Sequence, residues 1–404
     1  MLRGARASDG LSAADRRFLF VYVPGGWDVT RVFAPLFGVR GVAMEADAVP
    51  LRVGDLALVD HPARPSVRRF FQTHGSRVAI VDGLQIASIS HATCLRLLTT
   101  GTPDASAADW PSRIAAAHAA AHTVPCLVAG GPSFAGAYGV HVGHAGLSGQ
   151  LQGLVTGEIL ARAEVPQLPL AGAAAADIES FLAGAASRAR AGAGGGAARR
   201  LAEGYGVSLE KVGRLRDEVA GVSLDRGLGF DGQVDLAARA LSEGLSRCAS
   251  VAHPKAQVNV LWDSHAQNDD VQARMFEDLF AALGRVMDTL AATPGASAAT
   301  LADETVVVVL SEMGRTPYLN GAGGKDHWPY TSAMLLGPGV RGNVQVGGYD
   351  ALQQGVDTDL ESGAPAAGGT PIGPNMLGAT LLALADIDPR DAGLVDPPIG
   401  AVLA

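Results

Sequence analysis

Three cysteines in 404 residues are too few and too scattered to build a disulfide framework or a thiolate metal site; Cys94, Cys126 and Cys248 read as small buried residues. A basic excess is missing as well. Lys and Arg number 31 against 40 Asp and Glu, a formal net charge of −9, and no basic stripe interrupts the balance. That excludes a dedicated nucleic-acid surface and suits the binding of cations. Long hydrophobic runs are absent too: the apolar stretches are short and broken by Gly, Pro or Asp, so no membrane span is expected. The twin arginine of DRRFLFVYV (15–23) precedes only about six apolar residues and leads into PGGWD without a small-residue cleavage site. It reads as the charged lead-in to a first strand. The chain as it stands therefore reads as cytoplasmic, with export to the periplasm as the alternative. Internal repeats, a G-x-S-x-G elbow, a P-loop and a G-x-G-x-x-G after a strand are all lacking.

What the chain does have is apolar mass. Hydrophobic residues make up 48% and charged residues 18%, enough for a sizeable core and against disorder of the whole chain. Five segments share one grammar, an apolar run, then a polar turn, then a helical pattern. They are RFLFVYVPGGWD (17–28), RVAIVDGL (77–84) followed by ASISHATCLRLLTTG (87–101), PCLVAGGPS (125–133), AQVNVLWDSH (256–265) and ETVVVVLSEMGRTP (304–317). Near-continuous apolar runs suit strands buried on both faces. Between the last two, Met275, Phe276, Leu279, Phe280, Leu283, Val286, Met287 and Leu290 make one helical face within 271–292, giving a βαβ unit. The expected fold is α/β: one domain over 1–404, with a doubly wound, mainly parallel sheet and helices on both faces. Residues 170–250, rich in Ala, Arg and Glu and containing ARAGAGGGAARR (189–200), read as a helical cap or insertion joined by a glycine hinge. The tail NMLGATLLALADIDP (375–389) reads as a closing helix and turn.

In open α/β sheets ligands sit beyond the carboxyl ends of the strands. There the first run delivers Asp28, the fourth Asp263 and His265, and the fifth Glu312. In extended backbone Asp263 and His265 project to the same side, and carboxylate with neutral imidazole suits Zn²⁺, Mn²⁺ or a related ion. The plainer alternatives are that Asp263 caps the helix starting near Asp269 and that His265 packs locally. Asp28 follows glycines that permit a tight turn or close approach of a ligand. Arg315 could hold an oxyanion or pair with Glu312. Ser90 and Thr93 at a helix start cap well, whereas His91 is not needed for capping and so invites a chemical role. HVGHAG (141–146) has two histidines but no nearby carboxylate. In NGAGGKDHWPYTSAMLLGPG (320–339) a glycine-rich loop stops at Asp326, His327 and Trp328.

VPGGWD, WDSHAQND, the block TVVVVLSEMGRTPYLNGAGGKDHW and the following LLGPGVRG closely resemble the bacterial family called domain of unknown function 1501, in order and spacing over nearly the whole chain. That family looks like a branch of the alkaline phosphatase and sulfatase superfamily. The resemblance implies a doubly wound α/β fold, two metal ions and a nucleophile at a helix start. It places Asp28, Asp263, His265, Glu312 and His327 among the metal ligands, with Asp326 as a further ligand or a partner orienting His327. Met313 stands where the superfamily carries a histidine, and His91 stands at the nucleophile position with Ser90 and Thr93 beside it. The expected activity is metal-dependent hydrolysis of a small anionic phosphate or sulfate ester, using Zn, Mn, Ca or Mg. His91, Ser90 and Arg315 would be the catalytic residues. The rival expectation is a catalytically degenerate protein, with no metal, that docks a partner from its own operon through 170–250.

Overall fold

The computed structural model describes residues 11–145, 172–194, 196–218, 228–254 and 262–404. In chain order the strands are β1 Arg17–Tyr22, β2 Val49–Val53, β3 Leu56–Asp60, β4 Val78–Gln85, β5 Cys126–Val128, β6 Val142–His144, β7 Cys248–Ala252, β8 Thr305–Leu310, β9 Gly314–Arg315, β10 His327–Trp328, β11 Tyr330–Leu336 and β12 Val344–Val346. The helices are α1 Pro65–His74, α2 His91–Thr100, α3 Trp110–Ala117, α4 Gly172–Gly192, α5 Gly196–Glu218, α6 Phe230–Ser242, α7 Asn268–Ala292, α8 Leu301–Glu304 and α9 Pro374–Leu384.

Eight strands form one sheet in the order β12-β4-β11-β8-β1-β7-β5-β6. Every pairing in it is parallel except those of β11, which runs against both β4 and β8. β1 shows why its run is unbroken apolar sequence. Side chains alternate across a strand, so Phe18, Phe20 and Tyr22 enter one core with Trp110, Leu377 and Leu381. Leu19, Val21 and Val23 enter the other with Phe70, Phe71, Phe276 and Leu283. With α2, α3 and α9 on one face and α1, α6 and α7 on the other, the sheet is doubly wound, and both sides of β1 and β8 are dry. The Val306 to Val309 run is fully shielded for the same reason.

The fourth expected strand, over 256–265, falls largely outside the described residues, and its described end, Trp262 to His265, is not strand. The strand beside β1 is instead β7, CASVA, built from small residues that carry little apolar signal. It is fed by α6, whose Val234, Ala237 and Leu241 pack in the core. These two elements close the stretch 170–250, whereas α4 and α5 leave Phe181 and Leu201 exposed. Among the described residues no helix is long and apolar enough to cross a membrane.

Burial sets up one pH-dependent term within the sheet. Asp82 of β4 is buried, with neutral partners only: the Ser332 hydroxyl at 2.6 Å and the Gln345 amide at 2.6 Å. Desolvation pushes its carboxyl up to about 7, against those two bonds. Between roughly pH 4 and 7 the unfolded chain ionises this group while the native state keeps its proton, so stability should fall as pH rises through that window. In urea titrations from pH 4 to 8, Asp82→Asn should remove this slope, worth about 1 kcal/mol or more across the window. An unchanged slope would refute the assignment.

Candidate metal centre

The carboxyl ends of β1, β4 and β8 share one edge, and the start of the reversed strand β11 meets them there. Four segments converge on this edge. The turn after β4 delivers His91 as the first residue of α2. The segment before α7 delivers Asp263 and His265, and the turn after β8 delivers Glu312. The loop between β9 and β10 delivers Asp326 and His327, with His327 paired opposite Arg315 in a two-residue antiparallel ladder.

The resulting geometry is compact. His265 Nε2 lies 3.1 Å and His327 Nε2 3.2 Å from Asp263 Oδ1, and the two nitrogens are 3.0 Å apart. His91 Nε2 approaches Asp263 Oδ2 at 3.4 Å. Each imidazole is held from behind through Nδ1: His91 by Glu312 Oε1 at 2.8 Å, His265 by Asp326 Oδ1 at 2.8 Å, and His327 by the Ile89 carbonyl at 2.7 Å. All three anchors are acceptors, so each Nδ1 carries a proton, and each ring in its neutral form would present its Nε2 lone pair to an ion beside Asp263. Lone pairs crowded onto a carboxylate repel one another unless a cation sits among them. Bonds of about 2.0–2.2 Å to zinc put tetrahedral donors roughly 3.3–3.6 Å apart, close to the spacings found here. Histidines fixed at Nδ1 by a carboxylate or carbonyl are the usual support of such ligands. The residues therefore fit a divalent ion. His91, Asp263 and His327 each offer a ligand atom within 4.8 Å of the others, and His265 Nε2 joins them through its contacts with Asp263 and His327.

Charge follows the same arrangement. The carboxylates of Asp263 and Glu312 raise the His91 pKa to about 9, against its partial burial. Burial would raise the Asp263 carboxyl, but His91 and Arg315 outweigh it and hold the group below the ordinary carboxylate range. Hydrogen bonds from His265 and Asn320 lower that of Asp326, which is itself exposed.

Three expected site residues occupy different surroundings. Arg315 is fully buried, and its donors are taken by the Gly25, Gly26 and Lys325 carbonyls and by Asp263 Oδ1 at 2.7 Å. It fixes Asp263 from within the protein, with four of its five N–H donors spent on protein oxygens. Asp28 lies apart from the histidines, fully buried, with both oxygens occupied by Thr30, Asn268 and Lys325. Ser90 takes the N-cap position of α2, but its hydroxyl makes no capping bond. Glu312 holds His91 and accepts from the Gly25 amide at 2.8 Å. Its Oε2 is buried without a hydrogen-bond partner. His144 ends β6 at the far margin of the sheet, with His141 just before it.

Two roles escaped the reading of the sequence. Lys325 inserts its ammonium beneath the loop, and Gln272 of α7 ties the Trp262 carbonyl and the Gly26 carbonyl together. Neither residue type signals such a position by spacing. The glycines of the loop have definite tasks. Gly26, at φ +80°, sits where a Cβ would press within 2.8 Å of Met313. A Cβ on Gly324 would overlap the His265 carbonyl.

The family model described as "Protein of unknown function (DUF1501)" matches residues 183–391, a little over half of the chain. No curated protein matches it. Solved structures match along most of their lengths at low identity. Ps i-CgsB in complex with k-i-k-neocarrahexaose is 10% identical, covering 95% of this chain and 75% of that one, with a TM-score of 0.43. The PsFucS1 sulfatase from Pseudoalteromonas sp. is 12% identical over 96% and 73%, with a TM-score of 0.38. A protein in the alkaline phosphatase superfamily from Vibrio parahaemolyticus is 10% identical over 95% and 69%, with a TM-score of 0.39.

Gly324→Ala should displace His265 from Asp263 while leaving the two cores intact. Calorimetric titration with Zn²⁺ should show affinity lowered about tenfold or more, with far-UV circular dichroism unchanged. Wild-type affinity in this variant would show that His265 is not held by the loop.

Proposed function

This chain belongs to the DUF1501 family, and on that premise we propose that it is a metal-dependent hydrolase of small phosphate or sulfate esters, of the alkaline phosphatase and sulfatase type. The observation that carries the reading is the convergence of three histidine Nε2 atoms on the single carboxylate of Asp263. Asp263, His265 and His327 would hold the divalent ion, with His91 as the fourth donor. Bound there, the ion would supply Lewis acidity to an ester oxygen or to a water.

The remaining roles belong to the chain. Glu312, Asp326 and the Ile89 carbonyl fix which nitrogen each histidine presents. Arg315 holds Asp263 from the protein side, leaving the other side of the cluster for substrate. The first turn of α2 lacks a side-chain cap, and helix N-terminal amides together with the helix dipole favour the anionic oxygens of a phosphate or sulfate group. Ser90, exposed at that same turn, keeps its hydroxyl as the candidate nucleophile for group transfer. Chain-wide negative charge suits recruitment of the cation.

A second reading has its own supporting observation. Phe181 of α4 is 67% exposed and Leu201 of α5 is 78% exposed. A catalytically degenerate protein that docks a partner protein through α4 and α5 would account for that surface.

Elemental analysis after incubation with Zn²⁺ or Mn²⁺ and removal of the excess separates the two. The hydrolase reading expects a retained ion, lost in Asp263→Ala and His327→Ala. Turnover of aryl phosphates or sulfates should fall about a hundredfold or more in both variants. A wild-type chain that retains no ion and turns over neither ester, while co-purifying with a partner that Phe181→Ser releases, would establish the second reading instead.

A further inference from the structure

The acidic groups at this edge of the sheet divide into two sets. Asp263 faces three imidazoles and no lysine, and it keeps 25% of its side chain open. Asp28 is entirely enclosed. Its Oδ1 accepts from the Thr30 amide at 3.1 Å and hydroxyl at 2.7 Å, and its Oδ2 from Asn268 Nδ2 at 2.9 Å and Lys325 Nζ at 2.8 Å. Arg31 Nε stands 3.4 Å from the same Oδ2. A carboxylate offers about four lone-pair directions, and all are in use.

The charges around Asp28 also close. Asp28 and Glu45 are buried acids; Arg31, Arg64 and Lys325 are buried cations; Asp269, half exposed, completes the set at 2.6 Å from Arg31. Three acids balance three bases. A divalent ion entering this set would have to displace an ammonium from the carboxylate it pairs with among the described residues, leaving excess positive charge without solvent, which is strongly unfavourable.

We propose that Lys325 is a built-in cation that occupies the carboxylate of Asp28 in place of a second divalent ion, so that Asp28 is a clamp for the histidine-bearing loop and not a metal ligand. Lys325 is wholly buried and also reaches the Thr30 hydroxyl at 3.1 Å. Its backbone joins the other half of the site: its amide donates to the Ser264 carbonyl at 3.0 Å, and its carbonyl accepts from Arg315. Through Lys325 the turn after β1 grips the loop two residues before His327 and the segment between Asp263 and His265. The ion count rests on the metal-dependent reading above; the charge pairing does not.

The test compares Asp28→Asn, Lys325→Met and the double variant by thermal denaturation and by metal content after incubation with Zn²⁺. Each single variant strands one buried charge and should melt several degrees below wild type, while the double variant should recover more than half of that loss. Wild type and double variant should each retain one ion per chain. Should a single variant fail to fold, the double variant's ion count and melting point carry the test. Two ions in wild type, fewer ions in the double variant than in wild type, or losses that simply add would overturn the proposal. Rescue in the double variant with no ion retained by wild type upholds the pairing and refutes only the metal-dependent reading.

Discussion

The carboxylate of Asp263 organises this molecule's working edge. One oxygen accepts from a buried guanidinium, while both face imidazole nitrogens whose protons are committed elsewhere. Such an arrangement is electrostatically unfinished. Nitrogen and oxygen atoms converge where a proton or an ion must separate them, and the surroundings prevent them from turning away. Glu312, Asp326 and the Ile89 carbonyl each lock one ring, and Arg315 locks the acid. The glycine turn after β1 accepts from Arg315 and donates to Glu312, and the loop before β11 sets His327 opposite Arg315.

Beside this open set lies a closed one, built from the same residue types with the opposite outcome. Asp28, Glu45, Arg31, Arg64 and Lys325 are buried together and reach neutrality with the half-exposed Asp269. Buried ion networks of this kind contribute little net stability, but they penalise any arrangement that leaves one member unpaired. Their value here is positional. A loop that strays from its place would have to carry a buried ammonium away from its counter-charge.

How much of this could be read beforehand depends on how each feature is encoded. β1, β8 and α7 announce themselves because burial on both faces, or on one stripe, demands long apolar patterns. β7 does not: Cys, Ala and Ser fill a tight central position by being small, and small residues have no periodic signature. Asp263, His265 and His327 were legible as ligand-type side chains at strand ends and in a loop aimed back at them. The pair Asp263 and His265 meets, however, through an irregular turn, since residues 262–265 are not strand. Asp28 and Arg315 were chemically suggestive but positionally ambiguous, because whether an acid or a guanidinium faces solvent or another charge is decided by tertiary neighbours. Lys325 was invisible for the same reason: a lysine in a glycine-rich loop ordinarily points to water.

The entry into β11 has one more consequence. The loop that enters this strand brings His327 against Ile89, 238 residues earlier in the chain. The cluster thus cannot exist in any early fragment of the folding chain. It requires the turn before α2, the segment before α7 and the loop before β11 to be in place together. Cation capture would then be a thermodynamic seal on completed topology, drawing the population toward chains whose two distant halves have found each other.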